Sequence, residues 1–239
     1  MGQQPRIRPL IGIAGDVDIA PSSDPAAPPA PRSCCRMTYI DAIIAAGGLP
    51  IVLPPVVEQI PEQLSLVNGV LLIGGDDPRT EPFGEPTDPR ITPVEELRQS
   101  YDAALIAALE GHPNLPALGV CYGMQMMALL AGGRLDQYLP DTLGEAWAAH
   151  WHKPHAIEAK LGAPNWLTTA SDNPLSRHRQ AVADAGSLAV AGVARDGVVE
   201  VIHNPERSFY VGIQWHPELS GNGPLGLGVY SVFVQACRG

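Results

Sequence analysis

No run of apolar residues in this 239-residue chain approaches the eighteen or so that a membrane span needs, so no bilayer-crossing helix is expected. The opening stretch, MGQQPRIRPLIGIAG, is too polar for a secretory signal, and a cytoplasmic location is the expectation. Basic residues are scarce. The 15 Lys and Arg face 25 Asp and Glu, and a net charge of −10 repels phosphate backbones and anionic lipid surfaces. Neither nucleic acid nor membrane is expected as a partner. Cysteine is limited to 4 residues, Cys34, Cys35, Cys121 and Cys237. None falls in CxxC spacing, and the adjacent Cys34 and Cys35 are poorly placed to bridge each other, which fits a reducing compartment. The chain also lacks a GxxxxGK and a strand-linked GxGxxG, so nothing is set to cradle a nucleotide, and no cofactor is expected. Internal repeats are missing too.

What is present is an alternation of apolar runs and helical periodicities. PLIGIAG reads as a first strand buried on both faces, and the Pro/Ala-rich segment 20–32 after it cannot be a regular helix or a central strand. That loop follows the C-terminal end of a strand and is expected to border a site. CRMTYIDAIIAAGG has helical spacing through Met37, Ile40, Ile43 and Ile44, with Gly47 and Gly48 as its stop, and LPIVLP gives a second strand. GVLLIGG is a third strand entering a glycine turn, and residues 92–111 form a helix with Thr92 as N-cap and Pro93 at its first position. LPALGV and MQMMALLAGG make the next strand and helix. Three β-type runs, SLAVAGVA, GVVEVIH and FYVGIQW, and a closing helix complete the chain. The pattern predicts a single α/β domain over 1–239 with a mostly parallel sheet between helical layers.

Within that frame the stretch GVCYGMQ places Cys121 at a strand-to-helix corner, with Gly119 and Gly123 where a sharp turn needs small neighbours. At a helix N-terminus a thiolate and an oxyanion are both stabilised by free N–H groups. GIQWHPE supplies a base at another strand end: His216, with Glu218 two residues on, on the same side of an extended segment. Cys121, His216 and Glu218 form a candidate nucleophile, base and orienting acid. The backbone N–H groups of Tyr122 and Gly75, the latter in the Gly74–Gly75 pair, are the candidate oxyanion donors.

These motifs resemble the class I glutamine amidotransferase fold, a flavodoxin-like three-layer sandwich. Four further stretches, YIDAIIAAGGLPIVLP, GGDDPRTEPFGE, CYGMQMMALLAGG and SRHRQAV, narrow the resemblance to the gamma-glutamyl-gamma-aminobutyrate hydrolase family, also called peptidase C26. The resemblance implies attack of Cys121 on a gamma-glutamyl amide, protonation of the leaving amine by His216, and release of glutamate from a thioester by water. It also implies that Gln125, Ser176, His178 and Gln180 hold the glutamyl α-amino and α-carboxylate groups. The chain departs from the family pattern in carrying Tyr122 where many members have Arg, and Leu175 where Asn is usual.

HWHKPH, with His150, His152 and His155, has no carboxylate or cysteine at ligand spacing, so solvated or packing histidines and no metal are expected. Arg36, just after the Pro/Ala loop, could reach a substrate carboxylate, but a lone Arg starting a helix is usually solvated. Arg98 and Asp102 read as an i,i+4 pair on the long helix, worth a few tenths of a kcal/mol. Three functions stay open: a hydrolase acting on a small gamma-glutamyl amide of the gamma-glutamyl-GABA kind, a glutaminase subunit serving a synthase partner, for which Tyr122 argues, and a non-catalytic binding protein on the same scaffold. A homodimer is also left open.

Overall fold

The computed structural model describes residues 8–20 and 28–239. In chain order the strands and helices are β1 (Leu10–Ala14), β2 (Asp16–Ala20), β3 (Ala30–Cys34), α1 (Met37–Ala45), β4 (Leu49–Leu53), α2 (Ile60–Leu66), β5 (Gly69–Leu72), α3 (Glu96–Leu109), β6 (Ala117–Val120) and α4 (Tyr122–Leu130). They continue as β7 (Arg134–Asp136), α5 (Leu139–Leu143), β8 (Trp151–Pro154), β9 (Ile157–Ala159), α6 (Asn165–Thr168), β10 (Leu175–Arg177), β11 (Ala181–Asp184), β12 (Ala189–Ala194), β13 (Val199–His203), β14 (Tyr210–Ile213) and α7 (Leu227–Ala236).

Five strands run parallel in the order β4-β1-β5-β6-β14, the 2-1-3-4-5 order of a flavodoxin-like sheet. Beyond β14 the sheet turns antiparallel at β13 and forks, with β11 and β7 on one branch and β12 and β9 on the other. Because successive strand residues face opposite sides, β5 feeds two cores. Val70 and Leu72 join a cluster with Leu105 of α3 and Met126 of α4, whereas Leu71 packs with Ile43 of α1 and Phe233 of α7. The result is the expected α/β sandwich with a mostly parallel centre.

Local departures from the sequence reading have physical causes. Residues 21–27 of the Pro/Ala segment lie outside the described residues. Its flanks form a two-stranded antiparallel hairpin, β2 with β3, apart from the main sheet. In α1 the core face is Tyr39 and Ile43, and Met37 and Ile44 are 61% and 48% exposed, so the apolar spacing overstated the buried stripe. The helix expected from Thr92 begins at Glu96. Thr92 and Val94 are instead held in extended form by Asp77, through Asp77 N–H to Thr92 O at 2.8 Å and Val94 N–H to Asp77 O at 3.0 Å. Those backbone bonds remove Thr92 from the capping position.

Candidate active site

The C-terminal ends of β5, β6 and β14 lie side by side, the edge at which open parallel sheets take up ligands. From β6 the chain enters α4 through Cys121, whose φ of 51° and ψ of −106° put a non-glycine residue in a strained, positive-φ conformation. Such a corner is tolerated only where the surroundings fix it. Cys121 N–H bonds Ile213 O of β14 at 2.7 Å, and Gln125 N–H closes the first helical turn onto Cys121 O at 3.1 Å. Gly119 and Gly123 are required by packing: a Cβ on Gly119 would meet Met127 Sδ at 2.5 Å, and one on Gly123 would collide with Leu72 O. Tyr122, the first residue of α4, has no acceptor within the helix for its N–H.

At the end of β14, Trp215 is fully buried and anchored by its Nε1–H to Leu225 O at 2.8 Å. The next residue, His216, places Nδ1 2.7 Å from Glu218 Oε1. This contact is made across a short 3-10 turn, Pro217–Leu219, and not along an extended segment. Tyr230 O–H donates to the other Glu218 oxygen at 3.4 Å. Burial pulls the His216 imidazole toward its neutral form, but the negative charges of Cys121 and Glu218 outweigh it and raise the group to about 10.

His216 and Cys121 meet over Gly74. A Cβ there would lie 2.9 Å from His216 Cε1 and 3.5 Å from Cys121 Cβ. Gly74 N–H donates to the buried Tyr39 hydroxyl at 3.0 Å, so it is spent, and among the described residues no partner is found for Gly75 N–H. The Gly74–Gly75 turn is braced from behind by Arg98, whose Nη2 donates to Ile73 O at 2.9 Å and Gly74 O at 3.1 Å. A side chain on Gly75 would run into that guanidinium. Arg98 and Asp102 are therefore not a surface pair. Both are 1% exposed, Arg98 also binds Asp16 at 2.8 Å, and its guanidinium stacks 4.3 Å from the centre of the Tyr122 ring.

A cavity opens above Cys121 and His216, and Gln125, Asp76 and Asp77 also line it. Three arginines line it as well, Arg36, Arg177 and Arg179. Arg179 stacks on Trp151, 4.4 Å from the ring centre. Arg36, read from sequence as solvated, is delivered to the cavity by the end of the β2–β3 hairpin.

The SRHRQ segment behaves differently from the assignment the resemblance implied. Ser176 and Gln180 are fully buried outside the cavity wall, and alternation along the chain turns Arg177 and Arg179 toward it instead. His178 touches the cavity, but Nδ1 is 2.9 Å from Gln180 O and Nε2 is 3.2 Å from His150 Nδ1, so neither ring nitrogen is available to a substrate. Gln125 likewise commits its Nε2 to Gln180 O at 3.1 Å and Gln214 Oε1 at 3.3 Å. Sequence reading passed over Gln214, a fully buried amide in GIQWHPE that donates to Cys121 Sγ at 3.5 Å. A polar residue inside an apolar strand, two before the histidine, was its available signal.

His150 and His155 are not solvated. Folding brings them and His178 around the fully buried Glu200 of β13, at 3.2, 3.0 and 3.5 Å respectively from Glu200 Oε1. His152 stays exposed.

Comparison with known proteins agrees with this architecture. The peptidase C26 family model matches residues 9–218. The chain is 27% identical over 256 aligned positions to the Rickettsia prowazekii protein RP404, named for its likeness to glutamine amidotransferases, covering 87% of this chain and 90% of that one. It is 29% identical to gamma-glutamyl-gamma-aminobutyrate hydrolase PuuD of Escherichia coli, covering 84% and 85%. The glutaminase domain of Trypanosoma brucei CTPS, solved with bound acivicin, superposes with a TM-score of 0.59 at 15% identity over 95% of this chain and 93% of that one, a likeness of fold. With the family match spanning most of its length, the chain belongs to the peptidase C26 family, cysteine-type hydrolases and amidotransferases on the class I glutamine amidotransferase fold.

Proposed function

We propose that this protein hydrolyses gamma-glutamyl amides whose amine half carries a carboxylate, gamma-glutamyl-GABA being the simplest example. The carrying observation is that Cys121, on its strained corner, shares one cavity with the Glu218-bound His216 and with three arginines. In this reading Cys121 Sγ adds to the gamma-carbonyl carbon, and the resulting oxyanion takes hydrogen bonds from Tyr122 N–H and Gly75 N–H. The C–N bond then breaks as the His216 imidazolium gives its proton to the departing nitrogen, leaving a glutamyl thioester and a neutral imidazole. Water, losing a proton to that imidazole, adds to the thioester carbonyl. Collapse expels the Cys121 sulfur and releases glutamate. Glu218 keeps the ring in the tautomer that both proton transfers need.

Two carboxylates on the substrate, one glutamyl and one on the amine, match the guanidinium groups of Arg36, Arg177 and Arg179, and Asp76 suits the glutamyl ammonium group. Tyr122 gives no support to a synthase-dependent glutaminase, because its side chain is 1% exposed and packs beneath Arg98. The test is glutamate release from gamma-glutamyl-GABA, from gamma-glutamyl-butylamine, which lacks the second carboxylate, and from glutamine, beside Cys121→Ala. Turnover favouring gamma-glutamyl-GABA and lost in the variant is expected. No turnover of any of the three by protein whose Cys121 still takes up iodoacetamide would replace this reading with a partner-dependent amidotransferase subunit.

A further inference from the structure

Outside the cavity floor lies a polar cluster that the reaction does not use. Glu200 is fully buried, and one of its oxygens, Oε2, has no hydrogen-bond partner among the described residues. Around its other oxygen stand three histidines whose far ring nitrogens are already committed. His150 Nε2 is 2.9 Å from Asp196 Oδ2, His155 Nδ1 is 3.2 Å from Ala149 O, and His178 Nδ1 is 2.9 Å from Gln180 O. All three of those acceptors are oxygens, so each far nitrogen carries the hydrogen. In a neutral ring the near nitrogen is then a bare lone pair.

With all three rings neutral, three lone pairs and a carboxylate oxygen thus converge with no hydrogen between them. His150 Nδ1 stands 3.2 Å from His178 Nε2, and Glu200 Oε1 is 3.2 Å from the first and 3.5 Å from the second. Acceptors gather at such distances in a buried site only where a metal cation or an added ring proton lies between them. The spacing identifies the kind. Donor atoms bound at about 2.0 Å around a tetrahedral zinc-class ion stand roughly 3.3 Å apart, and the observed triangle has those edges. Metal-bound histidines also routinely donate their other N–H to a carboxylate or a backbone carbonyl, the arrangement found on all three rings.

We propose that His150 Nδ1, His178 Nε2 and Glu200 bind a divalent transition metal of the zinc class, with His155 Nε2, 3.0 Å from Glu200 Oε1, flanking the site. Asp196 and the carbonyl oxygens of Gln180 and Ala149 fix the rings from outside. The site is structural and separate from Cys121. It joins the 3-10 segment ending at His150, β13 and the 176–180 segment, and so holds the stretch that presents Arg177 and Arg179 to the cavity. The rival arrangement fills the same gaps with protons and needs no metal.

Untagged Cys121→Ala protein, stripped with a chelator and titrated with Co²⁺ and Zn²⁺, tests this, since the variant removes Cys121 and His216 as a competing thiolate site. One metal per chain is expected, with the visible absorption of tetrahedral Co²⁺ and a melting temperature that rises on metal addition. Glu200→Gln and His150→Gln in that background should weaken binding at least tenfold, and His152→Ala, altering the exposed neighbour, should not. Failure of the folded Cys121→Ala protein to bind either ion stoichiometrically would overturn the proposal in favour of a protonated cluster. Binding lost on His152→Ala but kept in Glu200→Gln would overturn it as well.

Discussion

Glu218 is held by His216 on one oxygen and Tyr230 on the other, and its charge is one of the two that keep the His216 imidazolium protonated up to about 10. Glu218→Gln keeps the shape and removes that charge. We expect kcat/KM to fall by roughly 10²- to 10⁴-fold, in the range seen when the orienting acid of a triad is neutralised. The alkaline limb of the pH–rate profile should also move to lower pH, because the imidazolium is less stabilised. The same shift sets a stability signature. A histidine whose folded pKa lies above its ordinary 6.5 contributes stability that is full below that value and lost as pH rises through about 10. The wild-type melting temperature should therefore decline between pH 7 and 10 more steeply than that of the variant. Equal slopes and an unmoved alkaline limb would mean that Glu218 does not tune His216. At this scale the sequence revealed the groups that chemistry marks, Cys121 between glycines and His216 before Pro-Glu. It hid those whose partners come from elsewhere. Arg98 and Asp102 look like any surface i,i+4 pair until Asp16, the Ile73 and Gly74 carbonyls and the Tyr122 ring close over them, and no spacing rule connects Glu200 with histidines 22, 45 and 50 residues away.

The nucleophile corner depends on how closely α4 approaches β5. Gly123 in the first turn of α4 sits against Leu72 O, backbone that cannot give way as a flexible side chain could. Gly123→Ala must push the helix start off the sheet. The expected cost is about 1–3 kcal/mol of stability, in line with overpacking a tight core, together with a slower reaction of Cys121 with iodoacetamide as the corner relaxes. Gly111→Ala is the control: its Cβ would lie no closer than 3.4 Å to any neighbour, and calorimetry should show little change. Similar melting temperatures for the two variants would show that the α4–β5 approach is not tight. The elements that form this corner were readable because each is locally consistent, an apolar run, small residues, then helical periodicity. The β2–β3 hairpin was not. Its second strand, APRSC, is largely exposed and contains Pro31, so only pairing with Asp16–Ala20 across the intervening segment makes it a strand. The start of α3 departs from the local pattern for a related reason: Thr92 and Pro93 are good helix-opening residues locally, but Asp77 recruits their backbone into a bridge.

Across the whole molecule, a net charge of −10 surrounds a cavity that gathers three arginines, so anionic groups are favoured at that mouth and disfavoured over the rest of the surface. The parallel sheet that builds the mouth is continuous with the antiparallel β13, and β13 carries Glu200 into the cluster behind the cavity. Both large apolar clusters share that sheet: Ile202 of β13 belongs to one and Val201 to the other, as Val70 and Leu71 do on β5. A boundary between two independently folding units would have to cut these strands, and we propose on that ground that the chain unfolds as one cooperative domain. Heat unfolding should accordingly give one transition, with far-ultraviolet dichroism and tryptophan fluorescence changing together. The enthalpy should be about 170 kcal/mol near 60 °C, from roughly 0.7 kcal/mol per residue. The thinnest ladder is that of the β11–β7 branch, tied to β13 through the single register pair Val182–Val199; Leu135 and Val182 pack into the large cluster on one face, and a small apolar cluster of Leu139, Ala181, Ala194 and Val198 backs the other. If the molecule is instead two units, that branch is where they part. A first, low-enthalpy transition would then appear in the tryptophan signal, since Trp147 lies against that small cluster, while the core tryptophan Trp215 and most of the helical signal persisted to a second one.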